Sequence, residues 1–137
     1  MKKKIFIQFI SATLMFIVAC SPKQNENSRI VKDVAEVKID SLHYNLGEIP
    51  ILNDCPINYY LTNVSDIPLK ILYIKPSCSC TKVHYNKNSL EKGETTTISV
   101  VFNTDYPGKF ESNISVYANI KESPLVLSFS GIGINKN

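Results

Sequence analysis

Apolar residues along this chain follow two patterns. From Ile5 to Ala19 they form a nearly unbroken run, IFIQFISATLMFIVA, directly after Lys2, Lys3 and Lys4. From Ala35 onward they alternate with polar residues at period two, with turn-forming residues at short intervals, which predicts β-strands with one buried face. No stretch carries the three-four spacing of an amphipathic helix.

Parity assigns the buried positions. Ala35, Val37 and Ile39 share a face, and after a break at Asp40-Ser41 so do Leu42, Tyr44 and Leu46. Cys55, Ile57, Tyr59 and Leu61 alternate against polar neighbours until Asn63-Val64-Ser65-Asp66 turns the chain. Leu69 to Ile74 is apolar on both parities apart from Lys70, the pattern of a strand covered on both sides. Turns at Glu91-Lys92-Gly93-Glu94 and Asp105-Tyr106-Pro107-Gly108 lead into Ile98, Val100 and Phe102, and into Phe110, Ile114 and Val116; Leu125, Leu127 and Phe129 close the pattern. The prediction is all-β: an immunoglobulin-like β-sandwich of about seven strands over residues 35–137, with one core.

The first run reads differently. A basic start, an apolar middle and a small residue before the cut make residues 1–19 an export signal. Crossing a bilayer takes about 20 apolar residues, and this run is shorter and diluted by Gln8, Ser11 and Thr13. Val18-Ala19-Cys20 resembles the lipobox of bacterial lipoproteins, with Ile17 where leucine is usual. That resemblance implies lipid on Cys20, palmitate included, as the new N-terminus, with no other cofactor. Residues 20–34 are polar and aperiodic, and read as a flexible tether. The expected location is the cell envelope, with the domain lipid-anchored to the inner or outer membrane, in the periplasm or at the cell surface.

Charge changes accordingly. The formal net charge of +3 comes from 15 Lys+Arg against 12 Asp+Glu, and removing Lys2, Lys3 and Lys4 leaves 12 against 12. A neutral mature chain lacks the clustered positive charge that nucleic acid requires. The expected partners are the membrane, through the anchor, and an envelope protein; no small-molecule substrate is evident.

In order along the strands stand Tyr60-Leu61-Thr62-Asn63, Pro68-Leu69-Lys70-Ile71, Ser77-Cys78-Ser79-Cys80-Thr81, Glu91-Lys92-Gly93-Glu94, Gly108-Lys109-Phe110 and Leu127-Ser128-Phe129-Ser130-Gly131. This series resembles the bacterial family of domain of unknown function 1573, over roughly Ala35 to Gly131. The resemblance implies a single immunoglobulin-like domain on an exported lipoprotein. It also extends to the wider group of such modules that includes the major sperm protein, whose members mostly bind proteins. The family pattern has glycine between the two cysteines, where this chain has Ser79. Glycine accepts a tight bend that serine resists.

Cys55, Cys78 and Cys80 remain after Cys20 is set aside, an odd count for an oxidising compartment. On an extended strand Cys78 and Cys80 lie about 6.6 Å apart, at the upper limit for a disulfide. A bridge from Cys55 to either one would close a loop of about 23–25 residues and stabilise by about 3–3.5 kcal/mol. The other reading is a soft-metal or redox site, in which Cys55, Cys78, Cys80 and His84 offer ligands for Cu(I) or Zn²⁺. A structural role, as a disulfide or as buried thiols, is favoured. An enzyme is not expected, because only His43 and His84 could act as an imidazole base and no catalytic constellation accompanies them. Two minor features complete the reading. The tyrosines at 59, 60, 73, 85, 106 and 117 could share a patch, though each more simply straddles core and surface. Asp40-Ser41-Leu42 resembles an acceptor of O-linked glycan at Ser41.

Overall fold

The computed structural model of the chain describes residues 33–136. The signal, Cys20 and nearly all of the tether therefore lie outside the described residues. Eight strands follow one another: β1 (Val37–Ile39), β2 (His43–Pro50), β3 (Cys55–Asn63), β4 (Ile71–Pro76), β5 (Thr81–His84), β6 (Thr95–Phe102), β7 (Gly108–Ala118) and β8 (Leu125–Ile134). They form two four-stranded sheets, in the orders β1-β3-β6-β5 and β2-β8-β7-β4. This is the expected sandwich, with one strand more.

The additional strand is β5, where the sequence pattern marks none; the break it does mark, at Asp40-Ser41, is a crossing between sheets. There the chain leaves the first sheet, in which β1 pairs antiparallel with β3, and joins the second, in which β2 runs parallel to β8. Polar side chains hold the crossing. The Asp40 carboxylate accepts from the backbone N–H of Tyr60 at 2.8 Å and from the Tyr44 hydroxyl, while Ser41 Oγ donates to the carbonyl of His43 at 2.7 Å.

Between the sheets, alternate residues interdigitate as parity predicts. Tyr59, Leu61, Ile98 and Val100 from one sheet meet Ile114, Val116, Leu127 and Phe129 from the other, all fully buried. Phe102 spans the gap, with ring centroids 4.7 Å from Phe110 and 5.0 Å from Phe129. The Tyr59 hydroxyl donates to the carbonyl of Ser128 at 2.7 Å, so its burial costs no orphaned polar group. Burial pushes the Tyr59 hydroxyl pKa up to about 12. At Gly131 an added Cβ would stand 2.6 Å from the Phe110 ring and 2.7 Å from the Gly47 carbonyl. Here only glycine admits the approach of β2 to β8.

The expectation for Leu69 to Ile74 is corrected. β4 is an edge strand, and Leu72 and Tyr73 are exposed at 57% and 50% rather than covered. Its pairing with β7 slips between Ile71 and Tyr73, and a one-residue bulge reverses parity. Ile71 and Ile74 both face inward on either side of the slip, which gives an edge strand the profile of a covered one. All four sheet edges are short or interrupted: β1 has 3 residues, β5 has 4, β2 is bulged near Gly47, and β4 carries both its slip and Pro76. Such edges resist pairing with another strand.

Candidate functional site

The long axis of the sandwich has two different ends. β3 runs from Cys55 at one end to Asn63 at the other, and the chain enters at the Asn63 end. The Ala35 N–H donates to the Asn119 carbonyl at 2.7 Å, and Asn119 Nδ2 donates to the carbonyls of Asp33 and Pro68 at 3.1 and 2.9 Å. Asn63, fully buried, organises the same end: its amide donates to the carbonyls of Ile67 and Leu90 at 2.9 Å each, and its Oδ1 accepts from the Ser65 N–H and hydroxyl.

At the opposite end the turn after β4 brings Cys78 and Cys80 together. They form a disulfide, with Cα atoms 5.3 Å apart. The extended-strand spacing does not apply, because Ser77 to Cys80 is a bend and a turn. Ser79 makes that turn without positive φ, so glycine is not needed between the cysteines. The Thr81 N–H donates back to the Cys78 carbonyl at 3.4 Å, and β5 starts there.

Cys55 does not take part in the bond. It and Thr81 both pair with Phe102, from opposite sides of β6. Two interstrand spacings, about 9–10 Å, separate the outer strands, beyond the roughly 7 Å Cα limit for a disulfide. Burial pushes the Cys55 thiol pKa up, the condition of an unreactive thiol. The fold does not assemble the soft-metal set either. His84 pairs with Ser99 at the far end of β5, and among the described residues no three His, Cys, Asp or Glu side chains converge.

The disulfide lines a cleft of about 280 Å³ with Tyr106, Asp105, Glu111 and Ser112. Its two sulfurs differ in surroundings. Cys80 is exposed, whereas Cys78 is half-buried, packs against the core and lies 3.3 Å from the buried Thr81 hydroxyl and 3.9 Å from the Ser112 hydroxyl. A bridge across two residues closes so short a loop that chain entropy gives it only about 1.5 kcal/mol of stabilisation. This is half of what an inter-strand bridge from Cys55 would have supplied. The sandwich therefore gains little from the bond.

A family described as a protein of unknown function (DUF1573) matches residues 37–132. The chain belongs to that DUF1573 family. Its Cys-x-Cys-Thr string is the disulfide turn with its hydroxyl neighbour, and its Asn63 and Gly131 are the buried amide and the close strand contact described above. No curated protein matches the chain. Among solved structures it is similar to a protein of unknown function from Porphyromonas gingivalis W83, with TM-score 0.64, 12% identity and coverage of 79% of this chain and 51% of that one. The DUF1573 chain thus spans about half the length of that protein. It is also similar to the ASH / PapD-like domain of human CEP192, with TM-score 0.63, 12% identity and coverage of 77% and 89%. A third similarity is to the Vibrio cholerae VesB protease, with TM-score 0.61 and 14% identity over 70% of this chain and 31% of that one. At these identities the likeness establishes the immunoglobulin-like, PapD-like fold.

The other sequence candidates are dispersed. Ser41 lies in the crossing between sheets. His43 is exposed on β2, its ring nitrogens 2.9 and 3.0 Å from the Ser128 and Ser130 hydroxyls. The tyrosines form no common patch: Tyr59 is buried, Tyr60 lies on the outer face of one sheet, and Tyr73 stacks on Tyr117 at 4.2 Å on the other. Thr81 is the site residue that sequence reading passed over. Its signal in the sequence is its place at the end of the Cys78-Ser79-Cys80-Thr81 string.

Proposed function

We propose that this DUF1573 protein is an exported lipoprotein, held in the cell envelope by lipid on Cys20, that presents its immunoglobulin-like domain as a non-enzymatic binding module for an envelope protein. The observation that carries the reading is where the chain enters the domain. Asp33 and Ala35 are fastened at the Asn63 end, so a tether from Cys20 leaves both outer sheet faces and the disulfide end free to meet a partner. With all four edges short or interrupted, recognition uses faces and loops rather than strand addition. The test is Cys20→Ala. It should abolish incorporation of labelled fatty acid and release the protein from membranes; retention without lipid would sink the reading.

A second reading, thiol-redox work at the Cys-Ser-Cys turn, is favoured by one observation: the bond is exposed at Cys80 and contributes little to the fold.

A further inference from the structure

We propose that the Cys78–Cys80 turn is a directional thiol-exchange site for a cationic, thiol-bearing protein segment, with Cys80 the sulfur attacked and Cys78 the leaving group. The proposal deepens the thiol reading, rests on it, and does not depend on lipid at Cys20.

Direction follows from the unequal surroundings of the two sulfurs. An attacking thiolate must reach its target sulfur, and exchange is faster when the departing sulfur is a better leaving group. Cys80 is exposed on the turn, while Cys78 is half-buried against the core. The Thr81 hydroxyl, itself buried, lies 3.3 Å from Cys78 Sγ and 3.9 Å from Cys80 Sγ. A second hydroxyl, Ser112, lies 3.9 Å from Cys78 Sγ. Hydrogen bonds donated to a thiolate stabilise its charged form, so charge developing on Cys78 meets fixed donors.

The chemistry balances with a partner dithiol. The partner's first thiolate bonds to Cys80 Sγ and the Cys78–Cys80 bond breaks; the electron pair stays on Cys78 Sγ, which then takes a proton from solvent. The partner's second thiolate attacks its own sulfur in the mixed disulfide and releases Cys80. The partner is oxidised to a disulfide and the Cys78/Cys80 pair is reduced by two electrons. A low-molecular disulfide in the compartment reoxidises the pair by the same steps in reverse.

The partner's charge follows from the cleft. Asp105 and Glu111 line it, and among the described residues no Lys, Arg or His does. Two carboxylates beside the disulfide repel anionic thiols and attract cationic ones, an effect that salt screens. Tyr106, 59% exposed in the same lining, offers a ring face to a cation.

The test uses the full chain in detergent micelles, with cysteamine as cationic probe and 3-mercaptopropionate as anionic probe at equal thiolate concentration. Opening of Cys78–Cys80 is followed by quenching with iodoacetamide and mapping peptides by mass, with circular dichroism confirming that the sandwich stays folded. Cysteamine should open the bond at least fivefold faster at low salt, and the ratio should approach one in 1 M NaCl. Cys78→Ser should trap cystamine as a mixed disulfide on Cys80 at least tenfold faster than Cys80→Ser traps it on Cys78. Thr81→Val should slow opening severalfold and Thr81→Ser should restore it. A bond that neither probe opens in the folded protein overturns the thiol reading and this inference together. Ready opening with equal trapping by the two cysteine variants, or with no charge preference, overturns the inference alone.

Discussion

One amide side chain, Asn63, substitutes for a length of backbone. It ties the end of β3 to Ile67 and Leu90, 4 and 27 residues away, and anchors Ser65. Each such hydrogen bond is worth about 1 kcal/mol net, and the side chain is completely buried. Asn63→Ala should therefore cost about 2–4 kcal/mol, read as a lower denaturant midpoint with unchanged slope. From sequence, Asn63 was legible as a turn residue, but its partners are set by tertiary approach. The cysteines show the same division. Their odd count was legible, while their pairing depended on a bend at Ser79 and on β6 lying between Cys55 and Thr81. Because burial raises the Cys55 thiol pKa, iodoacetamide should label Cys55 at least tenfold more slowly in the native than in the denatured chain. Unreduced protein with lipid on Cys20 should show one thiol by mass, and that thiol should be Cys55.

Among the elements, the passage from β1 to β2 has a titratable fastening. Burial pushes the Asp40 carboxyl pKa up, but hydrogen bonds from the Tyr44 hydroxyl and the Tyr60 N–H outweigh it and leave the pKa below its ordinary value. The ordinary, unfolded-state carboxyl titrates near pH 4. A folded pKa below that gives stability that is fully present above about pH 4 and is lost as pH falls through the folded value. Asp40→Asn should lower stability at pH 6, and the gap from the native sequence should narrow steadily as pH falls below about 4. Denaturation midpoints across that range check the sign. The strands themselves were legible wherever one residue in two faces the core without interruption, as in β3, β6 and β7. β4 was legible as a strand but not as an edge, because the backbone slip at Leu72 adds an inward position out of phase and gives it the apolar profile of a covered strand.

At the scale of the whole domain, aromatic pairs join the two sheets, Tyr44 against Tyr59 among them, with ring centroids 5.0 Å apart. Phe102 belongs to the first sheet and touches Phe110 and Phe129 of the second, so neither sheet keeps its core without the other. Unfolding should be a single cooperative transition, with far- and near-ultraviolet circular dichroism coincident, and Phe102→Ala should lower stability by about 3–5 kcal/mol. Separate transitions for the two signals would count against a shared core. Alternation made the sandwich and its buried positions legible. The parallel pairing of β2 with β8 was not, because strand order depends on which residues meet after the chain changes sheets. The opposition of the domain's two ends also sets a length. The nine residues of β3 place the Cys55 end about 27 Å beyond the Asn63 end. Fourteen residues from Cys20 to Asp33 reach at most about 45–50 Å. A lipid on Cys20 would thus let the disulfide sample a shell up to about 75 Å from the bilayer, deep enough to meet proteins with no membrane contact of their own.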